Sequence, residues 1–277
     1  MIRAADESSK SLLLDFLRDK EDYAAALLFT RMSVNGIHSN HALFWGIFDG
    51  QSILCGVLML FGGTLFVSGE IPDTREFHEF VSFLGVPSLF GKRGTLERAG
   101  FTSHGRILTA MTVDLPIPVK DYFPFEEHPR LFDVYDLVSN SFETLYISRE
   151  FFVSDTFEKQ RAGFVRLLAI PNDAVSVVPF RISPQANPSL SIINCQFSII
   201  SSGGVYWQNR RAAVIESVCT LPEYRGKGLA SAIVARLVGE LLAARKRPLL
   251  LCEDRLTGFY EWLGFYKYEE YGEGEIG

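Results

Sequence analysis

The chain runs to 277 residues, with 47% apolar side chains and a net charge of −6. That length suits two domains of ordinary size, each burying its own core, and the apolar fraction excludes a largely disordered protein. The acidic balance argues against a nucleic-acid surface, no apolar run is long enough for a membrane span, and residues 1–7 do not read as a signal peptide, so a cytoplasmic protein without nucleic-acid or membrane partners is expected.

Residues 11–29 carry helical spacing in Leu12, Leu13, Phe16, Leu17, Tyr23, Ala24, Leu27 and Leu28, so one or two helices open the chain. Segments 42–48 and 53–60 flank Asp49-Gly50, a hairpin signature. A strand at 64–67, a helix over 73–83 capped by Asp73 or Thr74, and an apolar run at 86–90 follow. Residues 107–115 alternate as a strand that Pro116 and Pro118 end, a crossover free to add a strand to one of the sheets. Helical spacing resumes over 128–142 and 149–162, then strands over 164–170 and 174–180 joined at Asn172-Asp173. A further strand at 190–200 is expected to break at Gly203-Gly204.

Cys55, Cys195, Cys219 and Cys252 lie far apart without metal-ligand spacing and read as reduced, buried thiols. His38, His41, His78, His104 and His128 form neither a zinc pattern nor a Ser/His/Asp order; His38 and His41 could share a helix face or sit in a turn. No metal is expected.

The most informative stretch is 214–231, VIESVCTLPEYRGKGLAS. Its first half is apolar and β-branched, and Pro222 stops a strand. After Arg225-Gly226-Lys227-Gly228, the residues Leu229, Ala230, Ile233, Val234, Leu237, Val238, Leu241 and Leu242 recur at the spacing of an amphipathic helix. A helix that starts from a glycine loop offers unpaired N–H groups and the positive end of its dipole, which together form an anion site. Gly226 and Gly228 have no side chains to obstruct a phosphate, and Arg225 and Lys227 add positive charge. The spacing is neither a P-loop nor a dinucleotide fingerprint. Taken alone, such a pattern is also found in ordinary strand-to-helix turns.

Residues 221–238 resemble motif A of the GNAT superfamily of acyl-coenzyme A N-acyltransferases, Arg/Gln-x-x-Gly-x-Gly/Ala, with Arg225, Gly228 and Ala230 in the defining places. Downstream, Tyr260-Glu261-Trp262-Leu263-Gly264-Phe265 resembles the superfamily's closing Tyr-x-x-x-Gly-Phe. The resemblance implies an α/β fold with a mixed sheet flanked by helices, and acetyl-coenzyme A as co-substrate in a splay between the fourth and fifth strands. Its pantetheine would pair with strand backbone around Val218, Cys219 and Thr220, and its pyrophosphate would meet Arg225, Gly226, Lys227, Gly228, Leu229, Ala230 and Ser231. A free amine would attack the thioester directly, with Tyr260 as the acid for the departing thiolate. By alternation Glu216 shares a strand face with Val218 and Thr220, where it could take the amine proton or hold a cationic acceptor. Equally, Glu216 could face solvent or pair with an arginine, and Tyr260 could fill space beside Trp262 and Phe265. Many relatives carry asparagine seven residues before the tyrosine; here Glu253 stands there.

Residues 95–101 align without gaps on 259–265, with Glu, Gly and Phe coinciding, and each segment follows a strand, a helix and a second strand-like run. Two copies of one domain are therefore expected: a degenerate GNAT-like half over 1–115, a linker over 116–128 and a catalytic GNAT domain over 129–277. In the first copy the loop 68–76 is acidic and holds a proline, unsuited to a pyrophosphate, and Leu96 replaces Tyr260. That half reads as silent, a packing partner or one wall of the cleft. Residues 182–211 exceed the template, as an extended hairpin near the substrate mouth or a surface excursion.

The expected activity is acetyl transfer from acetyl-coenzyme A to a primary amine of a small molecule or peptide, by a monomer or homodimer. A non-catalytic coenzyme A-binding regulatory module and a protein N-acetyltransferase are the alternatives.

Overall fold

The computed structural model describes residues 1–37, 39, 42–101, 106–118, 123–141, 147–174 and 198–275. His38, His41, His104 and Cys195 lie outside the described residues, as do nearly all of the strand expected at 174–180 and most of the excursion at 182–211. The chain divides into two packed units: residues 1–115 gather with 207–214 and 241–277, and residues 116–206 with 215–240. The division cuts through three elements, the strands β8 (Ile199–Gln208) and β9 (Ala212–Thr220) and the helix α7 (Leu229–Ala243).

In the first unit, helices α1 (Lys10–Arg18) and α2 (Tyr23–Asn35) realise the two-helix form of the opening segment. Asp22 ends the break between them by accepting from the Ala25 amide at 2.8 Å, an ordinary N-cap. β1 (Ile2–Ala4) pairs antiparallel with β2 (Ala42–Phe48), whose hairpin with β3 (Leu54–Phe61) forms where expected, but its turn is wider than an Asp-Gly pair. The Asp49 carboxylate organises it, accepting from the amides of Gln51 and Ile53 at 2.8 Å each. The strand β4 (Thr64–Gly69), helix α3 (Thr74–Leu84), strand β5 (Ser88–Lys92) and helix α4 (Arg93–Arg98) complete the first half. Its core is Leu58, Leu65, Phe77, Val81, Leu89 and Leu96, all buried between sheet and helix.

The two halves of the sequence then exchange strands inside this unit. β6 (Ile107–Thr112), from the first half, pairs antiparallel with β10 (Arg247–Cys252). In return β11 (Tyr266–Glu275), from the second half, pairs antiparallel with β5, and β6 and β11 pair with each other. Packing therefore follows the exchanged strands and not the linear repeat, which is why 241–277 groups with 1–115. A second tie is Asn209, 2% exposed. Its side-chain amide donates to the carbonyls of Leu17 and Lys20, while its oxygen accepts from the amides of Arg211 and Ala212.

The second unit holds α5 (Leu131–Ser141), α6 (Arg149–Arg161) and β7 (Arg166–Pro171). β7 pairs antiparallel with β8, from Arg166↔Val205 to Pro171↔Ile199, and Ala169 also bridges to Glu126. β8 runs unbroken through Gly203-Gly204, against the expected break. A Cβ on Gly203 would come within 3.0 Å of Ile233 on α7, and one on Gly204 within 2.5 Å of Leu167 on β7. The pair lets the neighbouring elements pack close to the strand and stops nothing.

Both halves show one order of strand, helix, parallel strand and helix, the last being α4 in one and α8 (Asp254–Trp262) in the other. β4 and β5 pair in parallel over three residues, and so do β9 and β10. The aligned helices also end alike. Gly100 and Gly264 take positive φ, of 83° and 95°, and the amides of Phe101 and Phe265 return to the carbonyls of Leu96 and Tyr260, both at 3.0 Å. This is a Schellman cap, so the shared Gly-Phe is a helix stop.

Candidate active site

β9 delivers the chain to the glycine loop. The Leu221 amide donates to the Ile200 carbonyl at 3.0 Å, and Pro222 opens a single 3-10 turn, Pro222–Tyr224. Tyr224 pins that turn by donating its hydroxyl to Asn172 at 3.0 Å. Gly226 and Gly228 follow with φ of 73° and 82°, and nothing lies within 4 Å of where either Cβ would stand. Glycine is required here by the sign of φ and not by crowding. α7 begins at Leu229 with no acidic residue in its first turn. Among the described residues, no acceptor meets the amides of Gly226, Gly228, Leu229, Ala230 or Ser231. The helix end is open, with its dipole uncompensated.

The two basic residues are partly turned back on the protein. Arg225 Nε donates to the Thr220 carbonyl at 3.1 Å, and Lys227 Nζ stands 4.9 Å over the Tyr224 ring. They hold the loop's shape as well as its charge.

The main-chain groups of β9 can be assigned from the ladder. Leu221 bonds toward β8, and the Cys219 carbonyl accepts from Ser201 Oγ at 2.9 Å on that same side. Alternation sends the main-chain groups of Val218 and Thr220 to the opposite edge. Pairing with β10 covers only Ala212, Ala213 and Val214, so that edge is not paired to β10 beyond Val214. Thr220 has part of its carbonyl capacity taken by Arg225.

Glu216 is half-buried on β9, before Ser217, whose φ is +54°. A left-handed residue in mid-strand interrupts the period of two, so simple alternation does not carry the shared face across from Glu216 to Val218. Sequence pattern had no signal for that kink. Cys219 is buried 3.4 Å from Ser202 Oγ, and burial pushes its thiol above the ordinary range, which makes it a structural thiol. Burial likewise pushes Cys252 up to about 11.

Tyr260 belongs to α8, in the first unit. It is 8% exposed, edge-on to Phe259 and Phe265, while Trp262 is 76% exposed and is no part of that packing. Its hydroxyl has no hydrogen bond among the described residues. Burial, and then Cys252, push its pKa well above the ordinary tyrosine value. The phenol is therefore held protonated, a hydrogen-bond donor whose acidity burial weakens. Glu253 is held by Arg255 at 2.7 Å and by Arg106, and these partners keep its carboxyl below the usual range against the pull of burial. Among the described residues no cluster of three His, Cys, Asp or Glu could hold a metal.

Residues 194–267 match the family model of the acetyltransferase (GNAT) domain. Over that stretch the chain is similar to a GNAT domain. Solved structures agree on the fold. A tandem GNAT protein from the clavulanic acid biosynthesis pathway superposes with a TM-score of 0.61 at 14% identity, covering 100% of this chain and 98% of that one. A GNAT-family acetyltransferase from Colwellia psychrerythraea gives 0.61 at 9%, with 100% of both chains covered. A GCN5-related N-acetyltransferase from Sphaerobacter thermophilus gives 0.57 at 14%, covering 100% and 95%. No curated protein matches the sequence. The matched GNAT segment takes in the open loop, α7, β10 and Tyr260, and leaves out the whole first half. No helix among the described residues is long and apolar enough to cross a membrane.

Proposed function

We propose that the protein transfers an acetyl group from acetyl-coenzyme A to a primary amine of a small molecule or peptide, with the cofactor-binding loop of the second half alone in use. The observation that carries this reading is the row of unengaged amides at the start of α7, preceded by two left-handed glycines. Such an end suits a diphosphate, which the macrodipole and the N–H groups stabilise together. Arg225 and Lys227 add charge around the loop, and the main chain of Val218 and Thr220 offers a strand edge to an extended amide-bearing arm, whereas the expected part of Cys219 falls away because its carbonyl turns to Ser201 on β8. The coenzyme supplies a thioester carbonyl open to direct attack.

On this reading Glu216 receives the proton that the amine loses as its nitrogen bonds to the acetyl carbon. Tyr260 gives its phenolic proton to the sulfur as the carbon–sulfur bond breaks, and is reprotonated from solvent. The products are an amide and the free thiol. The protein would act in the cytoplasm, as a monomer or homodimer, without metal, nucleic acid or membrane.

The test is calorimetric titration with coenzyme A, followed by thiol release from acetyl-coenzyme A across a panel of amines and peptides. Micromolar binding with amine-dependent thiol release is expected. Binding without turnover makes the protein a coenzyme A-binding module, release with peptides alone makes it a peptide N-acetyltransferase, and absence of binding sinks the reading.

A further inference from the structure

One face of the second unit carries a buried polar group that the chemistry above does not use. Tyr206 on β8 is 4% exposed, and its hydroxyl is buried without a hydrogen-bond partner. The Ser217 side chain is its polar neighbour on β9 and pulls the phenol's pKa down against burial. Burial, with Cys219 and Glu216 of β9 adding to it, pushes the phenol far above its ordinary range, so it is a neutral hydroxyl. From α6, Lys159 Nζ stands 5.6 Å from the ring centroid, 2% exposed and neutralised by Asp155 at 2.9 Å. Phe152 meets the same ring at 6.5 Å. The ring rests on Gly204, where a Cβ would come within 3.2 Å of it.

A buried hydroxyl with no partner costs about 1–3 kcal/mol, whereas phenylalanine would fill the same space at no such cost. The strand next to it is less covered. β9 is buried from Ala212 to Ile215 and again at Cys219, but Glu216, Ser217 and Val218 are half-buried. Tyr206 thus lies beside the strip of strand that carries the proposed base and the kink at Ser217.

Resting on the acetyl-transfer reading, we infer that Tyr206 determines acceptor specificity: its hydroxyl donates to a neutral oxygen of the amine substrate. Lys159 is matched by Asp155, and the nearby Glu216 carboxylate disfavours an anionic group at the same place. The preferred acceptors are therefore amines bearing hydroxyl or carbonyl oxygens, such as amino alcohols and amino sugars. Plain alkylamines would leave the phenol unpaired, and a site built to bond an oxygen discriminates strongly against its absence.

The experiment compares matched amines, D-glucosamine with cyclohexylamine and serinol with isopropylamine, in wild type and Tyr206→Phe. In wild type the oxygen-bearing member of at least one pair should show at least about tenfold higher kcat/KM, and Tyr206→Phe should reduce that ratio to within about threefold by slowing the oxygen-bearing member. Melting temperature controls for folding, and Tyr206→Phe should melt no lower than wild type. A ratio that survives Tyr206→Phe, or wild type without any ratio, overturns the inference while acetyl transfer stands. If no amine is turned over, the acetyl-transfer reading fails separately. Thermal-shift titration with the same four amines then decides: oxygen-bearing amines should stabilise wild type more than their partners, and a shift equal in Tyr206→Phe or missing from wild type overturns the assignment.

Discussion

The loops from β4 to α3 and from β9 to α7 occupy the same place in the two halves and have opposite fates. In the second, two left-handed glycines leave a helix end unengaged. In the first, Gly69 takes a φ of 107° because a Cβ would lie 2.3 Å from the Cys55 carbonyl, and Asp73 fills the helix end by accepting from the Glu76 amide at 2.9 Å. A carboxylate already sits where an anion would bind. The cap residues repeat the contrast. Leu96 is fully buried near Gly91 and Val67, while Tyr260 in the same Schellman turn brings a hydroxyl with no described partner. What the halves share is a folding skeleton, and what separates them is whether the helix end and the cap residue are consumed by the fold.

That contrast can be broken most severely at its glycines. Gly69→Ala forces a Cβ onto backbone and should cost roughly 3 kcal/mol or more, read as a large fall in denaturation midpoint. Gly228→Val meets no atom but must hold a β-branched residue at positive φ. It should weaken coenzyme A binding by about a hundredfold in calorimetry, with a stability loss of only about 1–2 kcal/mol. Equal stability losses at the two sites would remove the distinction between a closed and an open loop.

Next in size is Tyr260→Phe, which should lower kcat by about tenfold or more while coenzyme A affinity stays within about twofold. Because burial raises the Tyr260 pKa, the proton is present below the ordinary tyrosine range and is lost only as pH climbs beyond it. The limb of the kcat profile that depends on this acid should therefore fall only above about pH 10, and a fall near neutrality would assign the proton to another group. Smallest is Asp73→Ala, which should lose the α3 cap and about 1 kcal/mol of stability without changing coenzyme A affinity. A gain of coenzyme A binding in the first half on that change would show that its loop was merely plugged.

Much of this was legible in the chain itself. Local signals named the strand, glycine loop and helix at 214–238, the hairpin around Asp49 and the Asp73 cap, because each depends on residues within one turn of one another. The repeat was visible as Glu-x-x-Gly-Phe, and the cap geometry explains why: Gly and Phe are what a Schellman stop requires, so they persist in a half without the tyrosine. The Gly203-Gly204 pair misled, since glycine is a local breaker unless neighbours crowd the strand, and that crowding comes from Ile233 and Leu167 far along the chain. Ser217 at positive φ and the partnerless hydroxyl of Tyr206 had no local signature.

By itself, the order of residues determined which segments form strands and helices, where the basic glycine loop lies and which half lacks it, since those follow from periodicity, capping and charge over short spans. Only the tertiary structure decided that β6 and β11 change places between the halves, that the helix end in the second half stays open, and that Tyr206 is buried without a partner. Strand pairing, burial and hydrogen-bond satisfaction are set by groups distant in sequence, and those meet only once the sheet is assembled.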